Sequence, residues 1–148
     1  RQDSDRRRGA RDDRDMKSTE QHGFAEAWER SKPFMVTALE KSGNEYDIDD
    51  LLSMVEDGRA IFYPVRNGAA VFRVAQYPQK RRLRFWLIGV GVGGFGANID
   101  PVMEAADFCA RQNGCDSIEL TGRRAWEKML KPYGYEPNRV MLIKELGD

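Results

Sequence analysis

Residues 82–103 read RLRFWLIGVGVGGFGANIDPVM, and the hydrophobic period changes twice within them. Phe85-Trp86-Leu87-Ile88 is apolar at every position, the pattern of a central strand covered on both faces. Five glycines, Gly89, Gly91, Gly93, Gly94 and Gly96, then interrupt the chain. Glycine accepts positive φ and lets a backbone or ligand come close, so this stretch predicts a loop or a bulge. Beyond it Ile99, Val102, Met103, Ala106, Cys109 and Ala110 recur at helical spacing, opposed by Asp100, Glu104, Asp107 and Arg111. Pro101 behind Asp100 suits a first helical turn, and Asn113-Gly114 a stop. Strand 82–92, the glycine loop and helix 100–113 are therefore read as one unit.

Upstream, residues 59–65 and 69–76 flank Arg66-Asn67-Gly68. Asn-Gly predicts a hairpin with a type I′ turn, which needs positive φ at both positions. Pro64 cannot donate to a ladder and marks the first of these strands as an edge or a bulge. A looser turn at Tyr77-Pro78-Gln79-Lys80 leads into 82–92, so three antiparallel strands follow one another.

Residues 24–57 have helical spacing: Phe24, Ala27 and Trp28, then a second segment begun by Pro33 with Phe34, Met35, Ala38 and Leu39. Gly43 ends that segment, and Asp47 caps a third with Ile48, Leu51, Leu52 and Val55 inward. Downstream, 117–121 is a short strand parallel to 82–92, 124–133 a helix with Trp126, Met129, Leu130 and Tyr133 on one face, and 139–146 a final strand. The order α-α-α-β-β-β-α-β-α-β predicts an α/β (α+β) fold, a mixed, mainly antiparallel sheet with helices on both faces.

One hundred and forty-eight residues suffice for one domain with a contiguous core. Lys plus Arg and Asp plus Glu number 24 each, so no net field recruits nucleic acid or an anionic membrane, and neither is expected as a partner. No apolar run approaches the roughly 20 residues of a membrane span. The expectation is a soluble, intracellular protein. Cys109, Cys115 and His22 are too few for a zinc site of the usual kind, and no metal is expected. Residues 1–15 hold six Arg and five Asp and nothing that could enter a core, which predicts a disordered charged extension before a single domain over 16–148. Met16-Lys17-Ser18-Thr19-Glu20 reads as a natural start.

The element order, the glycine-rich connection after the third strand, and Leu130-Lys131-Pro132-Tyr133-Gly134-Tyr135 before the last strand resemble the acyl-CoA N-acyltransferase fold of the GNAT superfamily, over roughly residues 47–146. Within it, Gly122-Arg123-Arg124-Ala125-Trp126 and the ending Val140-Met141-Leu142-Ile143-Lys144-Glu145-Leu146 look like the GNAT-like proteins of tailed bacteriophages, some of them virion or assembly proteins. The resemblance implies acetyl-CoA or another acyl-CoA as donor and a small or peptide amine as acceptor. A non-catalytic member would have other virion proteins as partners. The implied location is the cytoplasm, of a bacterial host if phage-encoded, or the virion.

In such proteins the pantetheine lies along an exposed strand edge and the pyrophosphate on backbone N–H groups at the next helix. Gly91, Val92, Gly93, Gly94, Phe95, Gly96 and Ala97 occupy that place. The helix end would add partial positive charge. A strand N–H from 90–92 would hold the oxyanion. Three departures stand out. No basic residue or Gln lies between Phe85 and Ala110, Asp100 adds negative charge at the helix start, and Leu130 fills the place of the usual acidic Tyr. Tyr133 and Tyr135 are substitute acids, or simply packing residues. Glu119 is a candidate base, or an ion-paired strand carboxylate. Arg123 and Arg124 could reach a phosphate. Gly91-x-Gly93-x-x-Gly96 also matches a dinucleotide fingerprint, but the antiparallel strands upstream argue against a parallel βαβ unit.

Overall fold

The computed structural model describes residues 23–122 and 124–147. The charged extension 1–15, His22 and Arg123 lie outside them.

Helix α1 occupies 23–41 without a break. Two segments divided near Pro33 were expected, and one helix is present. Pro33 is exposed on its outer face, while Trp28, Ser31, Met35 and Leu39 form a buried stripe on either side of it. One lost N–H bond to the carbonyl four residues back is outweighed by that burial. Gly43 ends the helix at φ +101°. Asp47 caps α2, Ile48–Glu56, through a capping box: Asp50 N–H donates to Asp47 Oδ1 at 2.8 Å, and Asp47 N–H to Asp50 Oδ2 at 3.0 Å.

Strands β1 (Ile61–Val65), β2 (Gly68–Gln76), β3 (Arg81–Val90) and β4 (Ser117–Glu119) form one sheet in the order β1-β2-β3-β4. The first two pairings are antiparallel and the last is parallel. Pro64 lies on the outer strand, as its missing donor requires. The hairpin turn differs from expectation. Val65 pairs with Gly68, so the turn is Arg66-Asn67, and Asn44 is the only non-glycine residue with positive φ among those described. The type I′ turn is absent because Gly68 itself, at φ +153°, belongs to the ladder, where its missing Cβ admits the Gly89 carbonyl.

Between β3 and β4 the chain forms α3, Gly94–Ala97, and α4, Ile99–Gln112. After β4 come α5, Trp126–Leu130, and a 3-10 turn, Lys131–Tyr133, closed by Gly134 at φ +90°. Alternation along β2 divides the core between the sheet's faces. Ala70 and Phe72 join Leu83, Phe85, Val102 and Ala106 beneath α4, while Ala69 and Val71 join Trp28, Met35, Leu51 and Leu87 beneath α1 and α2. The last strand of the expected order is not formed. Residues 135–147 have no regular structure, and Val140, Met141, Leu142, Ile143 and Leu146 are exposed. Their apolar alternation suits a strand, but a strand exists only when paired, and within this chain the segment pairs with no strand of the sheet.

Candidate functional site

Strand β3 runs beyond its parallel partner. The two pair at Arg82–Ser117, Leu83–Ile118 and Arg84–Glu119, after which β4 ends and β3 continues to Val90. From Phe85 onward no described strand lies on that side of β3. Trp86 is a bulge: Val71 pairs with Leu87 and Phe72 with Phe85, leaving Trp86 unmatched. Bulges bend and twist a strand, so β3 turns from its course close to where its pairing with β4 stops. The two strands thus bound a wedge with its apex at Arg84 and Glu119. Its open end is the glycine loop, which begins about 16 Å beyond the bulge at ~3.3 Å per residue.

The loop is held from within by Asn98, which is 5% exposed. Its Nδ2 donates to the carbonyls of Gly94 at 2.7 Å and Val92 at 3.2 Å, and its Oδ1 accepts from Asn67 Nδ2 at 2.8 Å. In a trans peptide the N–H points opposite to the C=O. With the Val92 and Gly94 carbonyls turned toward Asn98, the N–H groups of Gly93 and Phe95 are directed away from it. Gly93 and Gly94, at φ +86° and +65°, permit that path and are exposed. Gly91 N–H donates to the Asn67 carbonyl at 2.8 Å, so it is engaged and cannot hold an oxyanion. The helical path begins at Gly94, earlier than the expected start near Asp100, because the Asn98 amide closes the turn onto the Gly94 carbonyl.

Helix α5 flanks the loop. The Trp126 ring lies 4.9 Å from that of Phe95, and exposed Arg124 precedes it by two residues. Tyr133 donates to Asp100 Oδ1 in the first turn of α4, and that hydrogen bond raises the Tyr133 pKa above its ordinary value. Tyr135 packs on the core beneath α4. Burial, with the charge of Asp107 second, pushes its hydroxyl up to about 12, and it has no hydrogen-bond partner among the described residues. Glu119 is engaged at both oxygens. Oε1 accepts from Arg84 Nε at 2.6 Å and Tyr77 Oη at 3.3 Å, and Oε2 lies 3.7 Å from Arg82 Nη1. The Glu119 hydrogen bond in turn raises the Arg84 pKa.

The structure thus brings residues 91–97 and Tyr133 to the open end of the wedge and Glu119 to its apex, with Tyr135 placed in packing. Asn98 and the Trp86 bulge were not singled out from sequence; an Asn directly before a helical stripe was the one available signal for the former. A separate groove of about 570 Å³, lined by Glu104, Asp107, Phe108, Arg111 and Gln112, lies on the outer face of α4 and shares no residue with the wedge.

No protein-family model matches the sequence, and a search of curated proteins gave no significant match. Solved structures do match. An acetyltransferase of Trypanosoma brucei is 10% identical, with a TM-score of 0.58 over 78% of this chain and 93% of that one. A protein of Pyrococcus furiosus inferred to be an acetyl transferase is 15% identical, with a TM-score of 0.56 over 80% and 92%. One of Agrobacterium tumefaciens, likewise inferred, is 10% identical, with a TM-score of 0.56 over 77% and 92%. At these identities the likeness is one of fold: this chain has the GNAT-like fold expected from its sequence.

Proposed function

We propose that the chain is an acyl-CoA-dependent N-acyltransferase, with the pantetheine along the open edge of β3 and the diphosphate on the Gly93 and Phe95 N–H groups. The observation that carries this is Asn98: by binding the Val92 and Gly94 carbonyls it fixes both N–H groups outward before any ligand arrives. Donors held in advance need no reorganisation on binding. No basic side chain lies in the loop itself, so Arg124, exposed before Trp126, is the cation assigned to the phosphates. The acceptor nitrogen attacks the thioester carbonyl at the wedge apex. The C–N bond forms as the C–S bond breaks, and the amine proton passes to Glu119 directly or through water while the thiolate leaves and takes a proton from solvent. Positioning of the two reactants is the main contribution asked of the protein.

CoA should bind with a dissociation constant of about 0.1–1 mM, the weak end of the affinity scale, and raise the melting temperature. Gly94→Val is the decisive loop variant. A Cβ at Gly94 meets nothing within 4 Å, so the change acts through the positive φ and the blocked backbone approach, without an internal clash. It should abolish the CoA-dependent shift while leaving a folded protein. Asn98→Leu should weaken CoA about tenfold or more, since two carbonyls lose the donor that orients them. Calorimetry showing no CoA binding at millimolar concentration rejects the proposal. One observation favours a second reading, a non-catalytic protein on the same fold, such as a virion or assembly protein: both Glu119 oxygens are already engaged by Arg82, Arg84 and Tyr77.

A further inference from the structure

Two features of this chain lack partners, and each is what the other lacks. The first is residues 139–146. Val140, Met141, Leu142, Ile143 and Leu146 stand 83, 67, 89, 74 and 85% exposed, a run of large side chains that folded chains rarely leave in water. In an extended conformation Val140 and Leu142 face one way and Met141 and Ile143 the other, so both faces seek cover and the segment suits a place within a sheet. The second is β4, which has β3 on one side and no described strand on the other. Its outer edge presents unpaired backbone groups next to Ile118 and Leu120, which are already half-buried on the core beneath α4.

Within one chain these features do not meet. The core holds the chain last at Tyr135, whose N–H donates to the Leu130 carbonyl at 3.4 Å and whose ring is packed beneath α4. Glu136-Pro137-Asn138 follows with no regular structure, and every residue from 136 to 147 is exposed, so the segment does not lie on the β4 edge of its own chain. We infer that residues 139–146 add as a strand to the β4 edge of a second copy of this chain, which returns its own segment in the same way. Reciprocal exchange about a twofold axis covers both tails, closes both edges and ends the assembly at two copies.

Light scattering during size exclusion at micromolar concentration should give twice the mass of one chain. Leu142→Pro removes a ladder N–H and a large apolar side chain from a segment that the folded core does not use, so this variant should run at the mass of one chain with its helical circular dichroism signal and its melting cooperativity retained. Hydrogen exchange supplies a readout that needs no variant. Amides of 139–146 and of β4 should be protected in the dimer and lose that protection together on dilution. A monomeric wild-type protein overturns the inference, as does a dimer that survives Leu142→Pro. Protection of 139–146 that is independent of concentration also overturns it, by showing that the segment pairs within its own chain.

Discussion

Gly68 and Gly89 sit at neighbouring positions across β2 and β3 where a Cβ has no room. At Gly68 it would lie 2.0 Å from the Gly89 carbonyl oxygen; at Gly89 it would lie 2.4 Å from Met35 Cε and 2.7 Å from the Phe34 carbonyl oxygen. Gly89 lets α1 descend onto the sheet, and Gly68 lets β2 close on the backbone of β3. Ser31, fully buried, adds a hydroxyl donated to the Gly68 carbonyl at 3.4 Å. Gly68→Val therefore combines a backbone clash with a β-branched residue at φ +153°, and should cost about 2 kcal/mol or more, read as a lower urea midpoint at unchanged slope. The sequence made this glycine conspicuous for a different reason, the Asn-Gly turn. Composition marks where freedom from a side chain is needed; only the packed strands say against what. Asn98 shows the same limit, because the partners of an amide side chain are set by which loops the fold brings to it.

At the level of elements, periodicity was most informative where one face is buried. The α4 stripe, the meander and the parallel return of β4 were all legible because their apolar patterns are answered by the sheet. It misled where local chemistry and packing disagree. Pro33 reads as a helix start but lies inside α1, carried there by Trp28, Met35 and Leu39. Pro33→Ala should restore one helical N–H and stabilise the protein by roughly 1–3 kcal/mol in denaturant unfolding. If α1 were instead two helices with Pro33 at a first turn, the same change would be neutral or slightly destabilising. Residues 139–146 misled in the opposite sense: a strand pattern tells of affinity for a sheet and leaves open which chain owns that sheet.

Across the whole molecule, the four-stranded sheet separates two apolar clusters, and the buried titratable groups belong to the one beneath α4. Cys109 is 3% exposed, and burial pushes its thiol up from 9.0 to about 11. It should resist iodoacetamide at pH 8 in the native protein, with half-buried Cys115 reacting first and both thiols reacting in denaturant. Cys109 and Tyr135 are both neutral when protonated, and both hold their protons more tightly in the folded chain. The unfolded chain therefore ionises first, and their contribution to stability is intact below pH 9 and declines as pH rises through about 11 and 12. Denaturant midpoints measured from pH 8 to 12 should show that fall, with its upper part reduced in Tyr135→Phe. Beneath these equilibria lies a mechanical asymmetry. Strand β2 is zipped to β3 along its whole length, whereas β4 is fastened to β3 by a three-residue ladder at one end. A load pulling these strands apart would peel β4 first, so the width of the wedge is the softest dimension of the sheet, and it can open like a hinged jaw while the meander stays rigid.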